Sequence, residues 1–346
     1  MRTWLIVIGA IALVVGGMVF VRGPAPVIIV APEHVFDFPV LGFGVTNTMF
    51  TSWFVVALIC VGGIIVGRNV SLVPSGFSGA IEAVLTGFYE TFVVNIVGEE
   101  KGRRFFPLVA TIFFFIVISN YVGLLPMNNV VGVPEPNHGD KQVVFQQTSF
   151  AGLDIAMIPI APTELDLATG DHAVTTDEHE QGDFSGLLAP YFRSVMTDVN
   201  APLAIALFSF VFVEFWGFQA LGFGYLKKFF NFSRLLKGNP MGLIDVFVGM
   251  LEFISELARV VSFTFRLFGN IFAGEVLLLM MGFLVPFLLV DIFYGLELFV
   301  GLVQAFVFAM LTLVFAQTAV TSHDDHDDHG ATSSEAAPAT SEGTTG

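Results

Sequence analysis

Apolar residues form long uninterrupted runs near positions 3–21, 47–67, 105–125 and 200–224. Each is close to the roughly 20 helical residues needed to cross a hydrocarbon core of about 30 Å. The remainder of the chain departs from that length. From Met241 to Leu284 an apolar pattern of helical period continues for about 43 residues, a rise of roughly 65 Å. After a break around Pro286 to Asp291, a second run reaches Val320, roughly 45 Å by the same rise. Helices of such length must tilt steeply, break or leave the membrane. The pattern predicts an all-α integral membrane protein, with several transmembrane helices ending in a long, strongly tilted two-helix hairpin.

Composition agrees with this class: 55% of residues are hydrophobic, 13% are charged, and the mean hydropathy is +0.80. A soluble enzyme is excluded, since soluble domains carry about 25% charged residues. Two segments carry -15 of the net charge of -16. Residues 126–199 carry eleven carboxylates against Lys141 and Arg193, and the tail from Thr321 carries six and no base. Nucleic acid is not an expected partner for so acidic a chain. Cys60 is the only cysteine, so no intrachain disulfide can form.

Lys and Arg near membrane ends are retained on the cytoplasmic side. Arg68, Lys101, Arg103 and Arg104 mark one cytoplasmic connection; Lys227, Lys228, Arg234 and Lys237 mark another. The acidic loop 126–199 is then external, the hairpin enters from the cytoplasm at Met241, and the C-terminus is cytoplasmic. Residues 1–46 read as an anchor or signal segment with an external stretch, and 47–125 as two membrane helices. Between those helices, Glu82, Glu90, Glu99 and Glu100 punctuate apolar positions within 76–100, as in a helix lying at the interface or a short buried one. Residues 200–240 read as a membrane helix with a basic connection, 241–320 as the hairpin, and 321–346 as a disordered tail. His323, His326 and His329 belong to that solvated tail, and no metal or other cofactor is expected.

Ionisable groups inside a membrane helix cost about 2.5–3.5 kcal/mol each at its centre, which makes them functional candidates. Asp245, Glu252, Glu256, Arg259, Arg266 and Asn270 are separated by steps of 7, 4, 3, 7 and 4, and so predict one polar stripe. Glu275 lies about half a turn from Arg266. Glu297 and Gln304 share a face of the second arm, and antiparallel arms would bring Glu297 to Glu275. This pattern suits two water-accessible half-paths separated by a fixed positive charge. A guanidinium does not deprotonate and so cannot relay a proton, whereas carboxylates can. Asn270 and Gln304 can orient water or hold Arg266. Helix gluing by polar contacts is the alternative for such groups, most of all for Asp245 and Arg259. Glu214 reads either as a satisfied polar contact or as an additional path or partner contact.

These residues carry a resemblance. SFTFRLFGNIFAGE (Ser262 to Glu275) is similar to the signature of subunit a of F-type ATP synthases, LVQAFVFAMLT (Leu302 to Thr312) resembles its final-helix signature, and NYVGLLP (Asn120 to Pro126) resembles an earlier helix end. The resemblance spans roughly Thr46 to Val320, apart from most of the acidic loop. It implies that Arg266 is the essential arginine facing a rotating ring of c subunits, with Asn270 and Gln304 beside it. It further implies that Glu275 and Glu297 serve an outer half-channel and Glu252 a cytoplasmic one, joined in the bottom-up reading by Glu256. Implied partners are the c-ring, peripheral-stalk b subunits and lipid, in an energy-coupling membrane such as the bacterial inner membrane. Nucleotide chemistry would reside elsewhere in the complex. Many relatives place a histidine in the outer pair, whereas both members here are Glu, and two neighbouring carboxylates titrate together. A secondary transporter that binds an anionic substrate through an intramembrane arginine is the competing reading, but its inverted repeats and broken helices are not evident.

Overall fold

The computed structural model describes residues 30–38, 43–68, 76–125, 131–135, 141–150, 153–157, 164–166, 182–222, 224–225, 242–285 and 288–321, with isolated positions before residue 30. Most of the first apolar run, the basic connection at 226–241, the bend at 286–287 and the tail from 322 lie outside the described residues.

Two short antiparallel strands, β1 (His34–Phe38) and β2 (Phe43–Thr46), lead into helix α1 (Asn47–Arg68). The Thr46 hydroxyl oxygen accepts the N–H of Met49 at 3.3 Å, capping the orphan donors of the first turn. Helix α2 (Gly76–Phe88) passes through a π-helical turn (Tyr89–Val93) into α3 (Val94–Gly123), broken by Gly98 at a φ of 78°. Phe88, Val93 and Val97 are buried along this stretch while Glu82, Glu90, Glu99 and Glu100 are exposed. That division disfavours a fully buried helix at 76–100. Helix α4 (Asn200–Leu221) precedes the hairpin, whose arms are α5 (Gly242–Leu284) and α6 (Leu288–Val320). Among the described residues, five helices have the length and apolarity to cross a membrane.

Small side chains bring the arms and their neighbours together. Gly301, Ala305, Ala309, Thr312 and Ala316 line one face of α6, with the alanines and Thr312 almost wholly buried. Such small-residue faces permit the close approach that organises helices in lipid. Across this face Asn120 of α3 donates to the carbonyl of Gly301 at 3.2 Å, and Ser209 of α4 bonds to Thr312 at 2.9 Å. Phe105, Ile116, Leu267 and Leu313 fill the space between α3, α4, α5 and α6. Helix α1 is largely exposed and is buried mainly near its start, at Asn47, Thr48, Thr51 and Val55. Asp198 joins the starts of two helices, accepting the Thr48 hydroxyl at 3.2 Å and the Asn200 N–H at 3.0 Å.

The acidic segment is not a plain loop. It contains β3 (Val131–Glu135), β4 (Lys141–Phe150), β5 (Leu153–Met157), β6 (Glu164–Asp166) and β7 (Gly182–Pro190), all paired antiparallel. Phe145 and Ala156, with Leu188 packed on them, form a small apolar centre there. The charge of this segment obscured short alternating patterns such as LDIAM, whose period of two favours strands.

Candidate functional site

The arms of the hairpin pair in a regular antiparallel register. Gly282 faces Val290, Gly274 faces Glu297, and Phe263 packs on Phe308 with ring centroids 4.8 Å apart. A Cβ at Gly274 would overlap the Glu297 carboxylate, so that carboxylate occupies space the glycine leaves open. Eight positions back from Gly274 lies Arg266, and eight forward from Glu297 lies Ala305, so Arg266 stands level with Ala305 and its neighbour Gln304. The axial distance from the Glu275–Glu297 level to Arg266 is roughly 12–14 Å.

Near the bend the two carboxylates share one cavity. It is lined by Asn120, Gly123, Leu124, Phe192, Arg193, Ser194, Ile271, Glu275, Leu278, Tyr294 and Glu297, and about 40 Å³ of it is open to water centres. One water needs about 10–15 Å³, so the cavity admits a short water chain. Its walls call for water: Asn120 Oδ1, Ser194 Oγ and Glu297 Oε1 are buried without a hydrogen-bond partner from the protein. Buried polar atoms of this kind are satisfied by ordered water.

Arg193 is a residue of this cavity that sequence reasoning missed, having been counted only as a base within the acidic segment. Its guanidinium lies 3.2 Å from the Glu275 carboxylate, and its side chain is 6% exposed against 20% for Glu275. The same guanidinium donates to the backbone carbonyl of Ala31 at 3.1 Å, and the Arg193 N–H donates to the Thr51 hydroxyl at 3.2 Å. A usable signal was present: a membrane carboxylate needs a partner, and Arg193 is the basic residue immediately ahead of α4.

Farther along the hairpin the polar stripe divides. Arg266 and Asn270 are exposed, on a flank where Val261 and Phe265 are also exposed, and Gln304 is half-buried. Glu256 instead turns inward, 4% exposed, and pairs with Arg259 at 2.6 Å. Arg259 lies over the Phe315 ring, 3.7 Å from its centroid. Glu252 is half-buried, and the Asp245 side chain lies outside the described residues. The single stripe predicted from spacing fails because Glu256 and Arg266 are about 80° apart around the helix at 100° per residue, enough to fall on opposite sides of a buried edge. Arg266 thus lies on an exposed flank of α5, with Ser262 and Asn270 one helical turn to either side of it.

Glycine at 274 makes a direct prediction. Gly274→Ala displaces the Glu297 carboxylate and costs about 1–3 kcal/mol, as overpacking does. Purified complex should melt at a lower temperature, and proton flux through its membrane sector should fall; unchanged flux would mean that Glu297 needs no fixed position.

Residues 49–317 match the family model described as ATP synthase A chain. The chain is 30% identical over 269 residues to ATP synthase subunit a of Desulfosudis oleivorans, covering 76% of this chain and 83% of that protein. Similarity at 28% identity to ATP synthase subunit a of Solidesulfovibrio magneticus covers 78% and 83%, and at 27% identity to that of Syntrophobacter fumaroxidans covers 84% and 91%.

Proposed function

Since the chain belongs to the ATP synthase A chain family, and is thus a multi-pass, proton-translocating membrane subunit of that complex without nucleotide chemistry of its own, we propose that it supplies two half-paths to a rotating c-ring, with Arg266 between them. Membership of this family sets aside the transporter reading. The observation that carries the proposal is the cavity holding Glu275 and Glu297 together, lined by polar atoms that require water and displaced along the hairpin from an exposed arginine.

In this reading the bend of the hairpin is the outer side. Protons reach cavity water, pass by way of Glu297 and Glu275, and leave on a ring carboxylate that comes alongside the hairpin. Arg193 holds Glu275 in place at the cavity wall. The neutralised ring site then enters lipid, returns at the end of the circuit to the cytoplasmic side of Arg266 near Glu252 and Glu256, and releases its proton. As a carboxylate again, it is drawn to Arg266. The guanidinium blocks a direct leak because it holds its own protons and carries a fixed charge. Each charge moved yields about 2.3 kcal/mol per 100 mV, so several steps must be combined per ATP. The exposed apolar flank around Arg266 faces the ring, peripheral-stalk b subunits and lipid cover other exposed helices, and the C-terminus lies in the cytoplasm of a bacterial inner-membrane protein.

Glu297→Gln tests the path. In membrane vesicles with the catalytic head stripped off, passive proton flux is expected to fall by about a hundredfold or more, the scale of a lost proton-transfer group. Normal flux and normal ATP-driven pumping in that variant would overturn the assignment of the cavity.

A further inference from the structure

The cavity near the bend encloses a buried proton acceptor and needs an entrance from outside. Glu297 is 6% exposed and Asn120 2%, both line the cavity, and Glu297 Oε1 and Asn120 Oδ1 have no hydrogen-bond partner from the protein. Three residues before Glu297 on α6, Tyr294 is half-buried and forms part of the same wall. Three residues earlier again, Asp291 is exposed in the first turn of α6, near enough to Tyr294 to act on it electrostatically. Each step of three residues is about 4.5 Å along the axis and about 60° short of a full turn, so the three side chains wind along one side of the helix. The exposed apolar residues Ile292, Leu296 and Phe299 occupy the other side. Exposed, half-buried and buried in that order, Asp291, Tyr294 and Glu297 lead from the start of α6 into the cavity.

Charge distinguishes this route from the other walls. The charged groups lining the cavity are Arg193, carried by the segment before α4, Glu275 of α5 and Glu297 itself. Helix α3 contributes Asn120, Gly123 and Leu124, none of them ionisable. Arg193 is a permanent cation held 3.2 Å from Glu275, and a fixed positive charge repels an incoming proton. Asp291 brings the opposite sign to the mouth. A carboxylate facing water there raises the local concentration of cations, hydronium included, as negatively lined clefts do. Tyr294 suits the position between the two acids, because a phenol hydroxyl accepts one hydrogen bond while donating another. Complementing the helix dipole accounts for an acid in a first turn. It does not account for a hydroxyl on the cavity wall one step farther in.

We propose that Asp291 and Tyr294 form the outer entrance of the path to Glu297, with Asp291 collecting protons at the membrane surface and the Tyr294 hydroxyl handing them to the cavity. The proposal rests on the half-path reading above, which places the bend outside. The step is a proton transfer only. Hydronium in outer water protonates the Asp291 carboxylate, which passes the proton to a neighbouring water. The Tyr294 oxygen accepts a proton from that water as its own O–H proton leaves to cavity water, and Glu297 Oε1 gains one. Tyr294 ends with its hydroxyl restored and Asp291 as a carboxylate.

Membrane vesicles containing the assembled complex provide the test, with passive proton flux followed against pH and ionic strength after removal of the catalytic head. Asp291→Asn should lower flux about tenfold at alkaline pH, where protons are scarce, and far less at acidic pH. Added salt screens a surface charge, so it should slow the unmodified complex while leaving Asp291→Asn nearly unchanged. Asp291→Glu should restore both behaviours. Tyr294→Phe keeps the ring in the cavity wall and removes only the hydroxyl, so it should assemble normally and lower flux about a hundredfold at every pH; it decides the case if Asp291→Asn fails to assemble. Unaltered pH and salt dependence in Asp291→Asn, or normal flux in Tyr294→Phe, would overturn the proposal and leave a helix-end charge beside a packing residue. Glu297→Gln in the same vesicles separates the two ideas. A block there with normal flux in Asp291→Asn and Tyr294→Phe removes only this entrance, whereas normal flux in Glu297→Gln removes the half-path reading of the cavity beneath it.

Discussion

Arg266→Ala is expected to abolish ATP-driven proton pumping in a complex that still assembles, and to raise passive proton leak once the catalytic head is removed. Assembly should survive because Arg266 is exposed on the flank of α5, while the packing at that level comes from the buried Leu267, Phe263 and Ile271. Function should not survive. In the proposed mechanism, the barrier between half-paths is a permanent charge that repels protons and attracts a ring carboxylate, and alanine supplies neither. Arg266→Lys retains the charge but not the planar fork or the very weak acidity of a guanidinium, and should remain severely impaired. Pumping measured by dye quenching, beside the amount of assembled complex, decides the outcome. Coupled pumping in Arg266→Ala would end the mechanism.

The second large effect belongs to Arg193. Arg193→Ala removes the partner of Glu275 and one tie to the segment before α1 in a single change. Breaking a buried ion pair by deleting one member costs about 3–5 kcal/mol, because the remaining charge is left without compensation. Less subunit should therefore be recovered in membranes, and the complex that does assemble should conduct protons poorly because Glu275 loses its fixed position. Arg193→Ala combined with Glu275→Gln should recover much of the assembly but not the conduction. If the single variant accumulates and conducts normally, the ion pair contributes little to either. This cycle separates the structural role of the pair from the role of Glu275 in the path.

Much of the membrane architecture was legible from apolar run length alone. Observed helices at Asn47–Arg68, Asn200–Leu221, Gly242–Leu284 and Leu288–Val320 lie close to the runs read from the sequence. The reason is physical: in lipid every backbone group must be bonded within the segment, so a long apolar run has few alternatives to a helix. Strands in the acidic segment were not read, since their alternation is short and interrupted by charge. Spacing on one helix also could not separate Glu256 from Arg266, because helical periodicity places groups on a face without saying where the neighbouring helix begins.

By itself, the sequence determined that this is a helical membrane protein, where its long hairpin lies, and which carboxylates and arginines that hairpin carries. It did so because apolar length and helical period are local properties of the chain. Only the tertiary structure decided that Glu275 and Glu297 share a cavity, that Arg193 reaches Glu275 from 82 residues away in the chain, and that Glu256 faces Arg259 while Arg266 faces outward. Those outcomes depend on the antiparallel register of the hairpin arms and the small face of α6, and on a connection that returns from the strand-rich segment, neither of which is encoded within any one helix.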